Sequence, residues 1–231
     1  MTKKLIIFLV EGITEKISFG AIFSEIFSNE NIEFHIVHGD ITSDYSISYQ
    51  NIKLKLKNQI KKFLKKEHYK KSDIKQINHV VDTDGAFISA NKIKKHSKDN
   101  IIYKKDKIFT NNIEYIKKRN KNKSRILKKL YKSNKIFGIT YKIYYLSCNL
   151  EHVLHNKANV NQNEKKIKMA EEFESEYFNK KQKFLTFIRS KDIAVNRDYN
   201  NSWKYIIRGN NSLKRNSNIY QIFDKYGSSP N

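Results

Sequence analysis

The sequence predicts an α/β fold, a parallel sheet flanked by helices. Two observations carry that expectation: apolar runs of strand length alternate with amphipathic stretches of helix length through the first 85 residues, and Gly-bearing acidic turns stop the first and third of those runs. The 231 residues suit one large domain, and 39% hydrophobic and 13% aromatic content is enough to build a core.

Leu5–Val10 is a continuous apolar run with β-branched members, as in a strand buried on both faces. Thr14 is placed to cap the next helix, in which Phe19, Ile22, Phe23, Ile26 and Phe27 share one face. Ile32–His38 alternates like a second strand and stops at Gly39-Asp40. Asn51–His68 reads as a helix with Ile52, Leu56, Ile60, Phe63 and Leu64 inward, and Gln76–Val81 as a third strand. A β-α-β-α-β order of this kind builds a parallel sheet through right-handed crossovers.

Beyond Gly85 the pattern loosens. Residues 86–135 read as a basic insertion, helical in pieces, and Ile139–Leu146 as a further strand leading into a helix over Asn149–His155. Asn163–Arg189 reads as two helices broken near Asn179, with Trp203 as a core anchor in the tail. The expected organisation is a core over 1–155, including the insertion, and a helical C-terminal extension over 156–231 packed on it.

In an open parallel sheet, ligands gather at the carboxyl ends of the strands. Glu11 follows the first strand, and Asp82 and Asp84 end the third. Clustered carboxylates repel one another unless a cation joins them, and hard oxygen ligands suit Mg2+ or Mn2+. An acid after a strand is also a common turn former, and Asp-Gly a common turn dipeptide; it is the two motifs in order that favour a metal site.

LIIFLVEGITEK resembles the first motif of the Toprim domain, and HVVDTDGA its Asp-x-Asp motif. Toprim domains occur in topoisomerases, bacterial primases, ribosomal RNA maturases and OLD-family nucleases. The Glu-Gly-x-Thr-Glu form is most similar to the OLD nucleases and to the RloB-type proteins of phage-defence loci. Tyr144–His155 resembles a divergent copy of the later Glu-bearing segment of the RloB type, without its Pro. The resemblance implies a Toprim-like sheet and a metal-dependent nuclease serving phage defence or abortive infection. Within it Glu11 is a metal ligand or the general base, Asp82 and Asp84 are metal ligands, and Glu151 completes a second metal position. Ser147 is then an oxygen ligand or a helix cap, and Glu15 either points to the same site or favours the helix N-terminus.

The chain carries 46 Lys+Arg against 23 Asp+Glu, a net charge of +23, which attracts polyanions. AT-rich coding also enriches Lys, Ile and Asn, but it does not remove the acids. Lys117, Lys118, Arg119, Lys121, Lys123, Arg125 and Lys128 are the candidates to track a nucleic acid backbone, DNA or RNA and tRNA among them, with Tyr115 and Tyr131 as stacking groups. Lys204, Arg208, Lys214 and Arg215 offer a second contact. His79 reads as structural, and His152 with His155 more as packed residues than as ligands.

Cys148 is the sole cysteine, which excludes an intrachain disulfide and a cysteine zinc site. No apolar run reaches membrane-span length, so no membrane partner and a cytoplasmic location are expected. No P-loop occurs, so any ATPase involved is a separately encoded partner; a homo-oligomer stays open. The competing classes are a catalytically silent nucleic-acid-binding module and a primase-like nucleotidyl transferase. A haloacid-dehalogenase-type phosphatase fits less well, since no acidic pair follows a later strand.

Overall fold

The computed structural model describes residues 4–36, 42 and 46–224. Helices flank a five-stranded sheet of order β2-β1-β3-β8-β7, and a separate three-stranded sheet has the order β4-β6-β5. In the large sheet β1 (Leu5–Val10), β2 (Asn31–Ile36), β3 (Ile74–Asp82) and β8 (Ile139–Leu146) run parallel, and β7 (Lys135–Ile136) is an antiparallel edge. His38 and the Gly39-Asp40 stop lie outside the described residues.

The period-2 alternation of the strands sorts their side chains between two cores. Leu5, Ile7, Leu9, Ile77, Val81, Tyr141, Ile143 and Tyr145 face α2 (Ile52–Lys66), α3 (Ile113–Tyr131) and α7 (Tyr199–Ile206). Ile6, Phe8, Val10, Val80, Tyr144 and Leu146 face α1 (Ile13–Ile26), α4 (Leu150–His155), α5 (Asn163–Tyr177) and α6 (Lys181–Ile188). All five inward residues expected of α2 are buried, as are those expected of α1. The chain breaks between α5 and α6 at Asn179, which takes a left-handed φ of 54°.

One expectation is corrected. Residues 86–135 are helical only in part: the long helix α3 is preceded by β4 (Ile93–Lys95), β5 (Ile102–Tyr103) and β6 (Ile108–Thr110). Ile88, Ile93, Ile108, Ile116 and Leu213 give this small sheet its own core; strands of two or three residues are too short to display a period. The hairpin β7–β8 lacks the usual turn dipeptide, because its turn uses Phe137 at φ 54° before Gly138 at φ 73°. Both residues are left-handed, the geometry two-residue hairpins favour, but Phe is not a usual turn residue.

Residues after 155 are built into both cores. Phe173, Tyr177, Phe184 and Phe223 join the cluster of α1, while Trp203 is fully buried in the other. The Trp203 indole donates to the Ile143 carbonyl at 3.2 Å and stacks on Tyr131, 5.3 Å between centroids. Among the described residues no helix is long and apolar enough to cross a membrane. Trp203→Ala is expected to cost about 3–5 kcal/mol, read as a lower urea midpoint in a single transition shared by near-UV and far-UV signals.

Candidate functional site

The acids stand where the parallel strands end. Leu9 lies opposite His79, and continuing that register brings Glu11 level with Val81, beside Asp82. Asp82 in turn lies opposite Leu146 of β8. Past this point the loops after β3 and β8 are laced together. The Thr83 N–H donates to the Leu146 carbonyl (3.0 Å), the Cys148 N–H to the Thr83 hydroxyl (2.8 Å) and the Asp84 N–H to the Cys148 carbonyl (2.8 Å). Asp84, Gly85 and Cys148 all take left-handed φ angles, of 47°, 64° and 64°; such strained positions persist where the surroundings over-determine them.

Burial pushes the Asp82 carboxyl well above the usual carboxylate range, and Glu11, Glu15 and Asp84 push it further by repulsion, against the opposing pull of Lys123. Asp82 Oδ1 has no hydrogen-bond donor among the described residues. Glu15 is also raised, by burial first and with repulsion from Glu151 adding to it. Its Oε2 accepts from the Gly12 N–H at 3.0 Å and from the Thr14 hydroxyl at 3.2 Å. Glu15 therefore closes the start of α1, with Gly12 rather than Thr14 as the cap residue.

Asp84 is held on every side. One carboxylate oxygen pairs with the Lys123 ammonium, and Lys123 is fully buried. The other accepts from the Tyr103 hydroxyl at 3.4 Å. The Arg119 guanidinium donates to the Asp84 carbonyl at 2.8 Å and to Tyr103 at 3.1 Å, and Asn120 donates to the Gly85 carbonyl at 3.3 Å. Burial, with Asp84 and Asp82 nearby, raises the Cys148 thiol, so it stays a neutral packing group.

The later segment is arranged differently. Glu151 is buried and paired with Lys166 at 3.4 Å. The Ser147 hydroxyl donates to the Asn211 carbonyl at 3.0 Å. Burial lowers the pKa of both His152 and His155, and His155 packs edge-on against Phe173. His79 is buried with Nδ1 at 2.7 Å from the Tyr141 hydroxyl. Among the described residues no three His, Cys, Asp or Glu side chains converge as a ready-made metal cage. Glu11, Asp82, Glu15 and Asp84 are brought within electrostatic reach, and Glu151 acts on Glu15.

The basic candidates divide. Arg119 and Lys123 turn inward to Asp84, so neither tracks a backbone at the surface. Lys118, Lys121, Arg125 and Lys128 are exposed, and Lys117 is half-buried and paired with Glu114 at 2.7 Å. Tyr131 is spent in the core against Trp203, whereas Tyr115 is exposed. Arg215 caps α4 through the Val153 carbonyl at 2.9 Å. Tyr103 and Thr83 were not anticipated as site residues. The inward role of Lys123 did leave a signal: Ile116, Asn120, Lys123, Leu127 and Leu130 recur at helical spacing on one buried face.

No protein-family profile, curated protein or solved structure matches the chain.

Two outcomes follow from the electrostatics. Folding raises the Asp82 pKa above its ordinary 3.8, so between those values the folded state keeps a proton the unfolded chain has released. Stability therefore falls as pH rises through that window, and in EDTA Asp82→Asn is expected to melt above wild type by a margin that widens from about pH 4 upward. Lys123→Met leaves the Asp84 carboxylate without its buried counter-charge and is expected to cost about 3–5 kcal/mol, with much of it recovered in the Lys123→Met/Asp84→Asn double variant. Chemical denaturation of the two singles and the double measures that coupling.

Proposed function

We propose that this chain is a Mg2+- or Mn2+-dependent nuclease of Toprim-like architecture that cleaves phosphodiesters of nucleic acid. The observation that carries the reading is Asp82: a half-buried carboxyl with its Oδ1 enclosed, opposed by three neighbouring carboxylates, at the carboxyl end of a central parallel strand. Such repulsion is costly in a fold with no task for it, and a divalent cation relieves it. The order of β1 and β3 in the sheet, each followed by its acid, supports the Toprim-like part of the reading.

The residues fit a hard cation. Mg2+ is ordinarily held by one or two carboxylates together with water and substrate phosphate, not by an all-protein cage. Glu11 and Asp82 would hold it, and Asp82 Oδ1 has no competing donor among the described residues. When bound, the ion supplies charge neutralisation at the phosphodiester and a lowered pKa for an attacking water. Lys123 and Arg119 fix Asp84 and the turn that carries it. Glu15 and Glu151 add negative charge behind the site. Nucleic acid is the substrate class that the +23 charge favours. The phage-defence setting and a separately encoded ATPase partner rest on the sequence resemblance.

A catalytically silent binding module is the second reading. It is favoured by Asp84, whose two carboxylate oxygens are both taken by Lys123 and Tyr103. The two readings separate in one experiment, with labelled single-stranded DNA, duplex DNA, tRNA and structured RNA incubated with Mg2+ or Mn2+. On the nuclease reading wild type cuts at least one of them, and Asp82→Ala loses about a hundredfold or more. Mg2+ also raises the melting temperature of wild type and not of Asp82→Ala. Cutting that survives in Asp82→Ala, or neither cutting nor a metal-dependent shift, rejects the nuclease.

A further inference from the structure

Beside the acidic site lies a cavity of about 210 Å3 whose wall is the direct continuation of the Asp82-Thr83-Asp84-Gly85 turn. Phe87 and Ile88 line one side, and α3 supplies the other through Lys117, Asn120, Lys121 and Lys128. Asn120 also donates to the Gly85 carbonyl, so cavity and acids share one rigid support. We infer that this cavity receives one unpaired base of a single-stranded nucleic acid, and that it sets the strand's position on the acidic site. The inference rests on the nuclease reading for its purpose but not for its test.

Size, chemistry and shape agree on that occupant. The volume is below the roughly 300–1,000 Å3 typical of sites for drug-sized ligands, so it suits a single ring system. Ile88 and the half-buried Phe87 provide an apolar wall, and the Phe87 ring has Lys128 over its face at 6.0 Å. An aromatic face beside cations is how proteins hold bases without reading their edges. Lys121 and Lys128 are exposed on the rim. From Lys117 to Lys128 the helix runs about 16 Å, too long a basic row for one phosphate, which points to a strand and not a free nucleotide. A duplex offers no free base to this cavity unless one is flipped, at an unstacking cost that single strands avoid. Phe87 follows Asp84 by three residues, so a base seated against it is held by the same turn that carries the acid.

The test is fluorescence anisotropy in EDTA, where no metal-dependent cleavage intrudes. Short labelled single-stranded DNA, single-stranded RNA and the matching duplexes are titrated with the full chain. Both single strands are expected to bind about tenfold or more tighter than the duplexes. Phe87→Ala is expected to weaken single-strand binding by about 5- to 150-fold while leaving duplex binding unchanged. Phe87→Leu, which retains apolar packing, and Ala90→Trp, which blocks the cavity from an exposed rim position, are expected to do the same with melting temperatures near wild type. Equal affinity for duplex and single strand, or an unchanged single-strand preference in Ala90→Trp, overturns the inference. The DNA and RNA arms identify the preferred sugar. Retained single-strand preference in a chain that neither cleaves nor shows a metal-dependent shift supports the cavity's role and rejects only the nuclease.

Discussion

A lysine ammonium with no solvent exposure is the constraint around which this molecule is arranged. Lys123 is fully removed from water and its counter-charge is Asp84. Taking such ions from water costs several kcal/mol each, and only close pairing with further hydrogen bonds offsets it. The pair therefore admits one placement of α3 against the end of β3. Arg119 and Asn120 use that placement to hold the Asp84 and Gly85 carbonyls. A slip of α3 by one residue would turn Lys123 away and leave a half-buried carboxylate unmatched. The ion pair fixes position more than it adds stability.

The C-terminal segment completes the support. The Thr83 hydroxyl donates to the Ser212 carbonyl at 3.1 Å, and the Cys148 N–H reaches the same carbonyl at 3.1 Å. The Ser147 N–H donates to the Asn216 carbonyl at 2.8 Å. Leu213 packs so close to Gly85 that a Cβ there would sit 2.5 Å from it, and the left-handed φ of Gly85 independently favours glycine. Residues 211–217 thus lie under the loops that follow β3 and β8. What looks in sequence like an appended tail is the floor of the candidate site, which ties its packing to whatever chemistry the acids perform.

Long periodic segments were legible in the sequence because burial writes itself into period 2 or 3.6. β1, α1, α2 and β8 are where the residues place them, and so are the buried faces. Glu11, Asp82 and Asp84 were legible as strand-end acids for the same reason: a strand's end is marked by the loss of its apolar run. Three features were not. The strands β4–β6 are too short to show alternation. Phe137 turns a hairpin in a conformation its side chain disfavours. The fate of each charge depended on which helix face it occupied, so counting Lys117–Lys128 as one basic stretch merged two functions. Arg119 and Lys123 serve Asp84 within, while Lys121 and Lys128 face solvent. Helical phase separates them, and composition does not.

The distribution of charge has a consequence for how the candidate site works. The chain as a whole is strongly cationic, yet Glu11, Glu15, Asp82 and Asp84 form a local knot of mutually opposed acids. On the proposed reading, a polyanion drawn to the surface meets repulsion at these acids. Protonation of Asp82 relieves part of that repulsion, and Lys123 offsets another part, but Lys123 is committed to Asp84. On the proposed reading a divalent cation relieves the remainder for the acids and for the phosphate at once. Metal and nucleic acid then each lower the cost of binding the other, and by linkage the two couplings are equal. On that reading, strand binding in EDTA rests on the basic rim, and engagement of the acids waits for the metal.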